Sequence, residues 1–209
     1  MDKSTDSEIP GMDLDLKYSP RKALLPENTS EVQKEMEKTK KELDKLKSWI
    51  IKKYPFIQAI SILPPQLIAR FIEEEEIPKE TEKHLQLYMI IPEEQFKNIA
   101  KIKSEIIKQI DSLKLHQKVW LQIKTPVDIW ENCLDSKFEL TSAIAMSFPL
   151  YDKGFLSALR LAEIHKSLVL KKFEKYINCY AIYGSITRDE TKSSSDVDVG
   201  IIIDDTDVK

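Results

Sequence analysis

The chain has 209 residues and a net charge of −3, with 42% hydrophobic and 32% charged residues. These values predict a globular protein of one or two domains, and they argue against a protein that coats nucleic acid with a broad basic face. The sequence contains no apolar run of the roughly 18 residues that a membrane span requires. Its first residues lack the apolar core of a signal peptide. We therefore expect a cytoplasmic protein with no membrane partner.

Composition and apolar spacing divide the chain into four regions. Residues 1–28 are polar and contain three prolines, which predicts a disordered or loosely held arm. Residues 29–80 are predicted to be mainly helical, and residues 81–165 to alternate strands with helices. Residues 166–209 contain a further helix and two strands. This order predicts an α/β or α+β core, with a mixed sheet and flanking helices behind a long N-terminal helix.

The N-terminal helix is expected to start near Ser30, which matches a capping box with Gln33. Its apolar positions follow the 4-3-4-3-4 spacing of a heptad seam, at Val32, Met36, Thr39, Leu43, Leu46 and Ile50. Two interpretations follow. The helix either forms a coiled coil that pairs two copies of the chain through residues 30–53, or it is an amphipathic helix that packs on its own domain.

Apolar periodicity predicts the remaining elements. Helices are predicted at 66–75, 92–113, 138–146 and 154–176. Strands are predicted at 85–91, 119–123, 179–183 and 197–203. We interpret Thr125-Pro126 as the end of the second of these strands.

The segment after residue 180 carries the clearest chemical signal. A hydrophobic strand ends at Gly184, where the chain needs a tight turn or a close approach to a ligand. Backbone N–H groups after this glycine, together with the Ser185 hydroxyl, are expected to hold phosphate oxygens. Arg188 is close enough in sequence to add a positive charge.

Two carboxylates open the next predicted strand. Asp196 and Asp198 are two residues apart, so strand alternation places both on one face, about 6–7 Å apart at their Cα atoms. Carboxylates so placed bind Mg²⁺ together with substrate phosphates, and two such ions assist both the attacking and the leaving oxygen. The residues expected to face the core are Val197, Val199, Ile201 and Ile203.

This pattern resembles the polymerase-beta-like nucleotidyltransferase superfamily, and in particular its small bacterial and archaeal nucleotidyltransferase domains. The matching residues are Gly184, Ser185, Arg188, Ser195, Asp196 and Asp198. Asp189 departs from the pattern, because the family usually has glycine there. The resemblance implies a nucleotidyltransferase-like palm, with Asp196 and Asp198 as the catalytic metal ligands. The predicted nucleotide-binding residues are Gly184, Ser185, Arg188 and Ser195.

The resemblance implies an enzyme that uses Mg²⁺ to move a nucleoside monophosphate from a triphosphate, with ATP the expected one, to a hydroxyl on an RNA, a protein or a small molecule. Family members carry a third carboxylate on a later strand. We find no such strand before Lys209 and expect the chain to stop inside its catalytic domain. The alternative is a catalytically weak, nucleotide-binding module with a regulatory or antitoxin-like role.

Two further hypotheses concern the middle of the chain. Residues 84–154 resemble the second half of a small nucleotidyltransferase domain, which indicates an internal duplication with a degenerate first copy. His84, Gln86 and Tyr88 would then occupy the site-facing positions of its strand. In a different arrangement, the strand at 119–123 lies beside the aspartate strand and Asp128 supplies the missing acid.

Overall fold

The computed structural model of the protein describes residues 29–65, 68, 79–187 and 196–204. This part of the chain is a mixed α/β structure with five α-helices, a four-stranded mixed sheet and a two-stranded sheet. The helices are α1 Thr29–Lys53, α2 Ile99–Leu113, α3 Pro126–Leu134, α4 Phe138–Ala145 and α5 Phe155–Phe173. The strands are β1 Ala59–Ile62, β2 Leu85–Ile90, β3 Val119–Lys124, β4 Phe148–Asp152, β5 Ile177–Tyr183 and β6 Asp198–Ile203.

Several predicted features lie outside the described residues. They are the arm at 1–28, nearly all of the helix at 66–75, the side chain of Ser30, Arg188, Asp189 and Ser195. Within the described part, no helix is both long and apolar enough to cross a membrane.

Helix α1 packs on its own domain through the second half of the predicted seam. Leu46 and Ile50 are buried in one core cluster with Ile60 and Met89 of the main sheet. Met36, nearer the start of the helix, is 67% exposed. A coiled coil along 30–53 would have to remove Leu46 and Ile50 from this core, so the amphipathic-helix interpretation holds for this half of α1.

The main sheet has the strand order β3-β2-β1-β4. Strand β1 runs antiparallel to both β2 and β4, whereas β2 and β3 are parallel and joined through α2. One face of the sheet packs against α1 and α2, and the other against α4 and α5. The sequence predicted β2 and β3 but missed β1 and β4. Strand β1 has only four residues and β4 contains Pro149 at the sheet edge, so neither has a clear period-2 pattern.

Thr125 and Pro126 start a helix that the sequence analysis missed. Thr125 is the N-cap of α3 and Pro126 its first residue. The Asp128 carboxylate accepts a hydrogen bond from the Thr125 backbone N–H at 2.6 Å, which completes a capping box. Strand β3 pairs with β2 and lies in a different sheet from β6. The hypothesis that β3 lies beside the aspartate strand and that Asp128 supplies a catalytic acid is therefore wrong.

Strands β5 and β6 confirm the two strands predicted at 179–183 and 197–203. They form an antiparallel pair in which Tyr183 lies opposite Asp198 and Ile182 opposite Val199. The Tyr180 hydroxyl holds the pair to α5, because it donates to the Ala162 carbonyl at 3.2 Å. The small sheet is therefore attached to the helix that precedes it.

The segments compared in the duplication hypothesis pair differently. Residues 84–124 form two parallel strands separated by a helix, whereas residues 180–203 form two antiparallel strands. These segments are therefore not two copies of one unit in that alignment.

Candidate functional site

The end of β5 brings Gly184 and Asp198 together. Gly184 follows the strand directly, begins a short 3-10 turn to Ile186 and has a φ of +85°. A Cβ atom at this position would lie 2.1 Å from Oδ2 of Asp198. Neither this backbone conformation nor this approach suits a residue with a side chain. The glycine and the second aspartate of the motif thus form one spatial unit.

The turn is anchored to the protein core. Ile186 is fully buried, and Ile182 and Val197 pack against the same core cluster from the ends of the two strands. The Thr187 hydroxyl donates to the Gly184 carbonyl at 3.0 Å and closes the turn. A site on such a support holds its geometry well.

The two predicted metal ligands are both exposed, and neither is paired with another residue that the structure describes. Neither Asp196 nor Asp198 has a hydrogen bond or an ion pair with another described residue. Asp198 is the first residue of β6, whereas Asp196 precedes the strand. Strand alternation therefore determines the face of Asp198 but not that of Asp196. Val197, which lies between them, packs against the core, and both aspartates are exposed to solvent.

The expectation that Val197 and three apolar residues of β6 face the core is only partly correct. Val197 and Val199 are partly buried, but Ile201 is 39% and Ile203 51% exposed. The core cluster beneath the small sheet includes Ile182 and Val197 near the Gly184 turn and does not extend to Ile201 or Ile203. The alternating apolar pattern places these residues on one face of the strand, but it cannot show whether another part of the protein covers that face.

Tyr183 is a site neighbour that the sequence analysis missed. It lies directly opposite Asp198 in the strand pair and is 54% exposed. Its ring passes over Gly200, whose Cβ position would lie 3.6 Å from Cε1 of the tyrosine. Only the pairing register of β5 and β6 places this ring beside the aspartate. In the sequence, only the position of Tyr183 directly before Gly184 could have indicated that this residue lies near the site.

A third carboxylate is not found near this turn in the described residues. No group of three histidine, cysteine or acidic side chains placed to hold a metal occurs there. The buried carboxylate of Glu163 is committed elsewhere, since it accepts from Ser142 at 2.6 Å and pairs with Lys166. Burial raises the pKa of the Tyr180 hydroxyl, and the negative charge of Glu163 adds to this shift.

A groove of about 940 Å³ lies apart from these residues. It lies between the first half of α1 and one end of the strands of the main sheet, and its apolar lining includes Met36, Leu43, Ile62, Phe148 and Leu150. None of the predicted site residues lines it. The groove therefore has no part in the chemistry of the Gly184 turn.

Comparison with protein-family models, curated proteins and solved structures returned no match. The motif and the geometry around Gly184 and Asp198 are therefore the features of the chain that bear on its function.

Proposed function

We propose that the protein is a nucleotidyltransferase that binds a nucleoside triphosphate and Mg²⁺ at the Gly184 turn, in a palm-like unit to which β5 and β6 belong. One observation carries the proposal: the Asp198 carboxylate occupies the space where a side chain at position 184 would lie. Two motif halves separated by 13 residues in the sequence therefore meet at one point. The pairing of Tyr183 with Asp198 holds this contact in place.

The available side chains suit the chemistry of a metal-bound triphosphate. Asp198 and Asp196 offer carboxylate oxygens that have no partner among the described residues, and such oxygens are preferred ligands of Mg²⁺. Bound Mg²⁺ would supply charge neutralisation for the triphosphate. Ser185, Arg188 and Ser195 are the proposed contacts to phosphate oxygens. Tyr183 presents an aromatic face beside Asp198, where the base or ribose of the nucleotide could stack.

The proposed reaction is an in-line displacement at phosphorus. The hydroxyl oxygen of the acceptor forms a bond to the α-phosphorus while the bond from that phosphorus to the bridging oxygen breaks. Pyrophosphate leaves, and the hydroxyl proton passes to a base or to solvent. The contribution of the chain is positioning and charge stabilisation, which dominate phosphoryl-type transfers.

A second function is favoured by the count of carboxylates. Only two unpaired carboxylates, those of Asp196 and Asp198, accompany the turn within the residues that the structure describes. A site with two acidic ligands suits nucleotide binding better than rapid turnover. The alternative is therefore a nucleotide-binding regulatory module.

Calorimetry with ATP and Mg²⁺ on the full chain tests both functions, with pyrophosphate release measured in parallel. Asp198→Asn removes one charged ligand and keeps its volume, and we expect binding to weaken by about 10- to 100-fold, since an interaction with a charged group contributes roughly 1.5–3 kcal/mol. Asp111→Asn, at an exposed position on α2, is the matched control and should bind like the parent chain.

The outcomes separate the proposals. Binding with pyrophosphate release supports the transferase, and binding without release supports the regulatory module. Equal ATP affinity in Asp198→Asn and Asp111→Asn would contradict both.

A further inference from the structure

The groove beside α1 offers an apolar docking surface. Leu43 of α1 and Ile62 of β1 line it, together with Phe148 and Leu150 of β4. Phe148 is 66% exposed, and the groove has a volume of about 940 Å³. Apolar surface of this extent is characteristic of a binding site for a hydrophobic segment or ligand.

Charged residues at the rim of the groove change sign along α1. Glu35 and Glu37 line the groove near the start of the helix, and Lys40 lines it about one turn further along. Asp44 and Lys47 lie beyond Lys40 and form an ion pair with each other at 2.6 Å. A segment that matches this rim therefore carries a positive charge near the start of α1 and a negative charge further along.

One stretch of the chain before α1 has the matching pattern. Residues 12–18 read Met-Asp-Leu-Asp-Leu-Lys-Tyr, with an apolar side chain at every second position and a charged one between. Strict alternation of this kind predicts an extended strand with one apolar and one charged face. The stretch belongs to the part of the chain outside the described residues, so the groove and the sequence pattern are two independent observations.

The length of this stretch matches the length of the groove. Residues 12–18 span about 20 Å as a strand, and residues 33–47, the part of α1 that lines the groove, span about 21 Å. The ten residues 19–28 connect the stretch to α1 and include two prolines and an asparagine, residue types that favour turns. Fully extended, they reach about 33 Å. The connection is therefore long enough for the chain to fold back along α1.

We propose that residues 12–18 dock in the groove as an extended segment that runs antiparallel to α1, with its four apolar side chains on the apolar floor. This direction places Lys17 beside Glu35 and Glu37, and Asp15 beside Lys40. The opposite direction would place an aspartate beside the two glutamates, where like charges repel. The docked segment holds the first half of α1 on the domain, and this role is independent of the proposed function.

Hydrogen exchange of backbone amides in the full chain tests the docking. Leu14→Ser/Leu16→Ser removes two apolar side chains from the docked face. Ile9→Ser/Leu24→Ser makes the same kind of change outside the alternating stretch and is the matched control. We expect the first pair to speed exchange at residues 33–40 of α1 by several-fold, because the docked segment opposes opening of this half of the helix. The control should exchange like the parent chain.

Phe148→Asp tests the same contact from the side of the groove. Phe148 is exposed in the described structure, and an aspartate there places a charge on the floor that an apolar segment avoids. We expect faster exchange at residues 12–18 as well as at 33–40. Residues 87–90 of β2 are buried in the core, so unchanged exchange there shows that each variant keeps its fold.

Two results would overturn the docking. One is exchange at residues 12–18 of the parent chain as fast as in a free peptide of the same sequence. The other is equal exchange at 33–40 in Leu14→Ser/Leu16→Ser and in the control. A parent chain that sediments as a dimer and becomes a monomer in Leu14→Ser/Leu16→Ser would assign the groove to the arm of a second copy, and would overturn docking within one chain.

Discussion

Substitution of Gly184 by alanine tests the contact on which the functional proposal depends. An alanine at a φ of +85° is strained by about 1–3 kcal/mol. For a chain of this size, each kcal/mol lowers the melting temperature by roughly 2–4 °C, so we expect a decrease of about 2–12 °C. The strain arises in the folded backbone and does not depend on any ligand.

The added methyl group also displaces Asp198. Its Cβ would lie 2.1 Å from Oδ2, and ordinary contact begins at 3.4 Å, so the carboxylate must retreat by about 1.3 Å. A misplacement of 1 Å at a reacting centre costs on the order of 100-fold in activity. We expect a comparable loss in Mg²⁺-dependent nucleotide transfer, or in binding if the protein is a regulatory module.

Thermal unfolding and calorimetry with ATP and Mg²⁺ measure the two effects. Gly200→Ala is the matched control, because the nearest atom to its added Cβ is 3.6 Å away, an ordinary contact. Adding Asp198→Ala to Gly184→Ala should recover part of the stability, since it removes the clash but not the backbone strain. A Gly184→Ala variant with the melting temperature and ATP affinity of the parent would contradict this prediction, as would equal losses in Gly200→Ala.

Two other predictions concern the core and the small sheet. Ile50→Ala leaves a cavity in the core, so we expect it to lower the free energy of unfolding in urea by about 2–5 kcal/mol. Met36 is exposed, so Met36→Ala should change this free energy by less than about 1 kcal/mol. Equal effects of the two substitutions, or the loss of a dimer in either variant, would favour the coiled coil instead. Because the folded-state pKa of Tyr180 is raised, the stability that its neutral hydroxyl contributes is complete below pH ~10 and is lost as the pH rises through the folded value. The ultraviolet absorbance of the parent chain minus that of Tyr180→Phe, followed as the pH rises, should show that Tyr180 ionises at a higher pH than an exposed tyrosine. Ionisation at the pH of an exposed tyrosine would contradict this prediction.

Local patterns predicted most of the regular elements. The six-residue strands β2 and β3 and the strand β5 were identified from their apolar residues, and α1, α2, α4 and α5 from helical spacing. Short elements without a full period were missed. Strand β1 is defined by its pairing with β2 and β4 rather than by its own sequence pattern. Helix α3 begins at Thr125-Pro126, a pair of residues that is equally typical of the end of a strand.

The Gly-Ser turn and the two aspartates were predicted from the sequence as a site for a metal-bound phosphate, on the basis of their residue types and spacing. Sequence could not show that Asp198 lies against Gly184, nor that Tyr183 stands beside it, since both facts depend on the register of two strands.

By itself, the sequence determined which residues are suited to chemistry and which local conformations they favour. Backbone preferences and side-chain spacing act over a few residues, so they can be deduced from the order of the chain. Only the tertiary structure decided which faces are covered, because burial depends on elements distant in sequence. Aliphatic residues at the end of β2 are fully buried because helices cover both faces of the main sheet, whereas the isoleucines at the end of β6 are exposed because the core cluster does not extend to them.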